Sequence, residues 1–217
     1  MLISGSGRTL KNFVDLAARG ELPIDIRLVV SSRADAGGLA FAREAGIPTL
    51  VCRRGDYPPG PAGDEPYGAA IFAACRAAGV EFVSMAGFIK FAPVPPDFAN
   101  RVVNIHPALI PAFSGHGFYG DRVHRAAIES GANATGCSVH FVDNQYDHGP
   151  IILQRTVPVL AGDSVHSLAD RVFAAECQAY PEALRLLAAG RVQVVGGQVR
   201  ILPTPEGQSS AIQPEDG

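Results

Sequence analysis

Cysteine is sparse and charge is thin in this chain, and each shortage excludes something. Four cysteines, Cys52, Cys75, Cys137 and Cys177, are spread over 217 residues, with no pair in Cys-x-x-Cys spacing. Neither a zinc site nor a disulfide framework fits that spacing, so reduced thiols in a cytoplasmic protein are expected. Charged residues make up only 18%, with 18 Lys plus Arg against 21 Asp plus Glu and a net charge of −3. No long run of either sign occurs, and the basic face that nucleic-acid binding requires is missing. No apolar run reaches the roughly eighteen residues of a membrane helix. The nearest, residues 69–89, carries Arg76 and Glu81. No signal peptide is visible. Apolar residues are nevertheless 47% of the chain, enough for a sizeable core.

Short apolar runs alternate with helical patterns through the first half. Met1 to Ser4 precedes Gly5-Ser6-Gly7, and Leu10, Phe13, Val14 and Ala17 then share a helical face. Strands are expected over Ile24–Ser31, Ile47–Cys52, Val80–Met85 and Arg101–Ile105, with helices over Gly37–Ala45 and Pro66–Ala78. Arg53 to Gly63 is a Pro/Gly-rich loop. This alternation predicts right-handed crossovers and an α/β fold: a doubly wound, mainly parallel sheet with helices on both faces. The first strand has only about four residues before its glycine turn, fewer than the usual five or six. It is either unusually short or missing N-terminal residues.

A glycine-rich loop over Pro107–Gly120 opens the second half, followed by a helix over Asp121–Ser130 and apolar segments at Cys137–Val142 and Ile151–Val159. Ser167 and Asp170 have capping-box spacing at the head of a long helix reaching about Ala189. Val192–Val195 and Val199–Leu202 flank Gly196-Gly197 as a hairpin. Residues 1–203 read as one domain, and 204–217 as a polar, disordered tail.

Three motifs carry candidate chemistry. Gly5-Ser6-Gly7-Arg8, at a strand-to-helix turn, offers backbone amides to an anion, although such a turn also serves tight packing. Leu10 replaces the third glycine of a dinucleotide fingerprint, which counts against a nicotinamide cofactor. Strand alternation points Asn104 and His106 to one side and Ile105 to the other, and Pro107 then ends the strand. Ser138-Val139-His140 precedes the polar loop Asp143–Pro150. A structural Asn, a surface His and a solvated turn are the bland alternatives. Together, His, Asn and a loop Asp at one sheet edge make an acyl-transfer site. Imidazolium and amide would stabilise an oxyanion while the carboxylate manages a proton. His116, His124 and His166 have no metal-ligand spacing and are taken as surface or helix residues.

These blocks closely resemble the phosphoribosylglycinamide formyltransferases of purine biosynthesis over nearly the whole chain. The resemblance rests on Ile3-Ser4-Gly5-Ser6-Gly7, Ala86-Gly87-Phe88-Ile89-Lys90, Asn104-Ile105-His106-Pro107 with Leu109 and Pro111, Gly136 to Val142, Asp147 to Gln154, Arg171-Val172 and Glu176. It implies a formyltransferase-like fold and formyl transfer from 10-formyltetrahydrofolate, as co-substrate, to the amine of glycinamide ribonucleotide, without a metal. Asn104, His106 and Asp147 would be catalytic, with Asp147 keeping His106 charged. The folate would meet Phe88, Ile89, Lys90 and Phe91 with Asp143, Asn144 and Asp147. The ribonucleotide phosphate would sit on Gly5, Ser6, Gly7, Arg8 and Thr9, with Glu176 at the glycinamide or ribose end. Met85 is expected to pack in the core.

Two departures stand out. The family commonly carries Ser-Asn after Gly7, and a polar or basic side chain where Phe173 stands; Arg8 is expected to supply the missing charge. The Ser114–Asp121 stretch is longer than in the best-known members and would reshape the cleft or form a lid. The rival readings are a formyltetrahydrofolate hydrolase, a formyltransferase for another amine such as an amino-sugar nucleotide, and a non-catalytic binding domain. Small-molecule substrates are expected as partners, with no nucleic acid and no membrane; the sequence sets no oligomeric state.

Overall fold

Alternation along a single strand divides the core in two. Val102 packs with Leu2, Val30, Val83 and Met85 on one face, against Tyr67, Ile71, Phe72 and Cys75. Its neighbour Val103 and also Ile105 pack on the other, with Phe13, Val172, Tyr180 and Leu184. Each such buried side chain contributes roughly 1.5–3 kcal/mol, so a one-residue slip in this strand would exchange two apolar layers.

The computed structural model describes residues 1–204, so the expected tail lies outside the described residues apart from Thr204. The elements are β1 (Leu2–Ile3), α1 (Arg8–Ala18), β2 (Val29–Ser31), α2 (Gly38–Glu44), β3 (Thr49–Val51), α3 (Pro61–Ala77) and β4 (Val83–Met85). They continue as β5 (Val102–His106), α4 (Asp121–Glu129), β6 (Ala134–Phe141), β7 (Ile151–Pro158), α5 (Val165–Ala188), β8 (Val192–Val195) and β9 (Gln198–Ile201). Seven strands form one sheet in the order β3-β2-β1-β4-β5-β6-β7, and β8 with β9 forms a separate hairpin. β1 to β5 pair in parallel, whereas β6 and β7 are antiparallel. The expected doubly wound, mainly parallel sheet with helices on both faces is therefore present.

Local departures have tertiary causes. Only the last three residues of the expected strand Ile24–Ser31 pair, because a ladder extends no further than its neighbours: β1 offers Leu2 and Ile3, and β3 offers Thr49 to Val51. α3 begins at Pro61 instead of Pro66, where a missing N–H costs nothing in a first turn. Arg54 fixes that entry, donating to the Pro58 and Gly60 carbonyls at 2.7 Å each and to Asp64. The cap of α5 is Ser164, reciprocated by Ser167, not the Ser167–Asp170 pair. Within the core, the Tyr180 hydroxyl donates to the carbonyls of Met85 (3.0 Å) and Val103 (2.8 Å), tying α5 to the two strands that lead to the site.

Gly7 is needed for two separate reasons. It holds φ at +75°, and a Cβ there would stand 2.3 Å from the Gly38 Cα, so α1 and α2 meet backbone to backbone. Gly5, by contrast, faces open space. The glycine turn thus serves close packing at its second glycine while leaving the first free. Gly7→Ala should lower stability by about 2–4 kcal/mol, read as a fall in urea midpoint with the m-value unchanged. Gly5→Ala should leave the midpoint within error.

Candidate active site

The chain runs outward from β1 to β2 and β3, then returns to β4 on the other side of β1. Open α/β sheets bind ligands in the crevice at such a switch, outside the carboxyl ends of the strands. A cavity of about 500 Å³ lies there, within the usual range for small-molecule sites. It is lined by Gly5, Ser6, Gly7, Arg8 and Thr9 after β1, by Phe88, Ile89 and Lys90 after β4, and by Asn104 and His106 of β5. Asp147 and Glu176 complete it from the β6–β7 loop and from α5, with Gly115, Gly117 and Tyr119 of the long loop above.

Antiparallel pairing sets the catalytic geometry. Asn104 pairs with His140, and His106 with Ser138, across β5 and β6. Alternation therefore turns all four toward one side, as expected for Asn104 and His106. His106 is buried; its Nε2–H donates to the Phe113 carbonyl at 2.8 Å. Its Nδ1 faces Asp147 Oδ2 at 3.4 Å, long for a hydrogen bond, which leaves that edge free to serve a reacting oxygen. Asp147 adopts φ +50°, a left-handed conformation that Asp tolerates, and its Oδ2 accepts from the Gly115 amide at 2.9 Å. The long loop is thereby tied to the carboxylate and to the imidazole at once.

His140 is a site residue that the sequence exposed without assigning. It lies where β6–β7 pairing steps from Val139–Leu153 to His140–Ile151, a bulge beside the site. Its Nδ1–H donates to the Phe141 carbonyl (2.8 Å), so its Nε2 lone pair accepts from Asn104 Nδ2 (3.2 Å). That fixes the orientation of the Asn104 amide. Burial pushes the imidazole below its ordinary value and keeps it neutral near pH 7. His140→Leu should lower kcat about tenfold, the worth of one lost orienting hydrogen bond, with KM little changed. The acid limb of the wild-type kcat profile should weaken too, because a charged His140 cannot accept from Asn104. His124 is also shifted down by burial. Both histidines then bind more protons unfolded than folded, so the urea midpoint should fall as pH drops below about 6.5.

Phe91 and Asn144 line an adjoining hollow with Ile89, Lys90 and Tyr146, which border the main cavity too, and Asp143 lies beside Asn144 behind it. The Asn144 amide is engaged by Val94, accepting from its N–H at 2.7 Å and donating to its carbonyl at 3.3 Å. Asp143 accepts from the Gln145 amide and faces His148 at 2.7 Å. Both shape the loop that presents Asp147. Phe91 packs on Tyr146, with ring centres 5.4 Å apart. Met85 is core. His124 is a helix residue of α4, one of its two expected alternatives, but not a surface one: it is buried at the cavity wall with Nδ1 unpartnered among the described residues. Burial pushes Glu176 up to about 7, against the pull of Arg8. The Arg8 guanidinium carbon sits over the Phe173 ring, 3.8 Å from its centre. Among the described residues, no cluster of three or more His, Cys, Asp or Glu could hold a metal ion.

Fold and cavity define a class: a doubly wound α/β protein whose switch-point crevice brings an amide, an imidazole and a carboxylate together. Residues 1–184 match the formyl transferase family, and the chain belongs to that family. It is 43% identical to glycinamide ribonucleotide transformylase 1 of Symbiobacterium toebii, covering 93% of this chain and 92% of that one at a TM-score of 0.85. A phosphoribosylglycinamide formyltransferase of Coxiella burnetii is 32% identical, with a TM-score of 0.81 over 92% of this chain and 90% of that one. A chloroplastic phosphoribosylglycinamide formyltransferase of Vigna unguiculata is 39% identical over 197 residues, 88% of this chain but 61% of that protein. The chain thus spans less than two thirds of that curated relative.

Proposed function

We propose that this chain transfers the formyl group of 10-formyltetrahydrofolate to the primary amine of glycinamide ribonucleotide. The observation that carries the reading is the convergence of Asn104, His106 and Asp147 in one cavity with the Gly5–Thr9 turn, Arg8 and Glu176. The names and cover of the solved relatives support glycinamide ribonucleotide as the acceptor, and the formyl transferase family supports a formyl donor, read here as the folate.

The amine nitrogen attacks the formyl carbon, the C–N10 bond breaks, and the products are an N-formyl amide and tetrahydrofolate. Asn104 Nδ2, with one hydrogen directed at His140, offers the other to the oxyanion of the tetrahedral intermediate. His106 in its cationic form has an acceptor for each N–H: Phe113 O for one, and the oxyanion or Asp147 for the other. Asp147 takes the proton that the amine loses, and N10 gains one as it leaves. The uncapped first turn of α1 faces the phosphate. Glu176 meets the ribose or glycinamide end, and Phe88, Ile89 and Lys90 edge the pterin. Phe91, Asp143 and Asn144 support that wall from outside the cavity.

Residues 1–203 act as one catalytic domain on this reading. The four free cysteines favour a reducing compartment, which we take to be the cytoplasm. No helix among the described residues is long and apolar enough to cross a membrane. Incubation with 10-formyltetrahydrofolate and glycinamide ribonucleotide should give formylated ribonucleotide and tetrahydrofolate in equal amounts. Folate breakdown without acceptor, or formylation of an amino-sugar nucleotide instead, would overturn the proposal.

A further inference from the structure

Arg8 is the first residue of α1, and its side chain stands half-exposed on the cavity wall. A cation at this end of a helix is disfavoured by the aligned peptide dipoles, so its own helix gives no reason for it to settle there. Two residues of α5 hold it instead. The guanidinium carbon lies 3.8 Å from the centre of the Phe173 ring, within cation–π range. Its Nη2 meets Asp170 Oδ1 at 3.3 Å, beyond the roughly 2.7–2.9 Å of a strong charge-assisted bond. Both partners of this ion pair are about half exposed, which makes it weak and replaceable. Asp170 is itself shared, since its other oxygen faces His166 Nε2 at 3.4 Å.

A ring face offers no strong acceptor, so apart from the contact with Asp170 the guanidinium N–H donors remain available to the oxygens of an anion. The same wall carries the Gly5–Thr9 turn with the uncapped amides of α1. We propose that Arg8, laid on Phe173, selects a phosphorylated acceptor, and that Asp170 is an internal competitor which the phosphate displaces from the guanidinium. This rests on the preceding reading that the acceptor carries a phosphate, and adds to it which side chains recognise that group and what opposes them.

The test compares KM for glycinamide ribonucleotide with KM for its dephosphorylated riboside. Arg8→Ala should raise the first about 10- to 100-fold, the worth of a charged hydrogen-bond pair, with kcat little changed and the riboside KM unmoved. Arg8→Lys should recover only part, because an ammonium lacks the guanidinium fork. Phe173→Leu, which keeps an apolar side chain of similar bulk, should raise it about 3- to 10-fold. Asp170→Asn should lower it about 2- to 5-fold. Equal effects of Arg8→Ala on both acceptors, or none, would overturn the proposal, as would an Asp170→Asn variant that binds no better.

Calorimetric titration with inorganic phosphate separates this inference from the functional reading. Weaker phosphate binding in Arg8→Ala and tighter binding in Asp170→Asn should appear whether or not the wild type formylates the ribonucleotide. A wild type that binds phosphate in this pattern but transfers no formyl group overturns only the functional reading. Unaltered phosphate binding in both variants overturns only the role of Arg8.

Discussion

On the proposed reaction, His106→Ala should lower kcat for formyl transfer by about 10²- to 10⁴-fold, with KM for either substrate changed only a few-fold. The imidazole has a fixed and a free edge: Nε2 is held by the Phe113 carbonyl, and Nδ1 stands at 3.4 Å from Asp147. Its charge is useful only once negative charge has developed on the formyl oxygen, so its loss falls on kcat. Asn104→Ala removes the second donor to the same oxygen. The double variant should therefore be little worse than His106→Ala alone, because the two donors act as a unit on one intermediate. Steady-state kinetics with both substrates varied checks this. A His106→Ala enzyme keeping more than about a tenth of wild-type kcat would remove the imidazole from the mechanism.

Asp147→Asn should cost about 10²- to 10³-fold in kcat while leaving the fold and the loop intact. Asn tolerates the left-handed backbone at φ +50°, and its side-chain oxygen can still accept from the Gly115 amide. Only the negative charge and the capacity to take a proton disappear. Asp147→Ala loses the Gly115 bond as well and places a poorer residue at a positive φ. It should match Asp147→Asn in kcat but open the 113–120 loop to faster proteolysis, which Asp147→Asn should not do. A kcat loss of only a few-fold in Asp147→Asn would mean that another group takes the amine proton.

Pattern and position made much of the framework legible. Period-two alternation correctly put Asn104 and His106 on one side of β5, and the alternation of short strands with helices gave the doubly wound class. Errors gathered where a distant contact overrides local preference. Pro66 reads as a helix start, yet Arg54 organises the preceding turn and the helix begins at Pro61. Ile24 reads as a strand start, yet neither β1 nor β3 pairs with it, and the ladder begins at Val29. His124 looked like an ordinary helix residue and is buried at the cavity wall, because the face that α4 turns inward depends on what packs on it. His140 was visible as a polar residue in an apolar strand; its function in orienting Asn104 depends on a register that no local pattern contains.

Residue chemistry and local periodicity alone specified which groups exist and which way they face along their own strand, because those properties depend on a few neighbouring peptide units. Strand order, register and helix packing then brought Asp147 to His106, set His140 behind Asn104 and laid Arg8 on Phe173. A shift of one residue in pairing would reverse these side chains. Such contacts are therefore fixed by the burial of two apolar layers around a single sheet, to which residues from both ends of the chain contribute together.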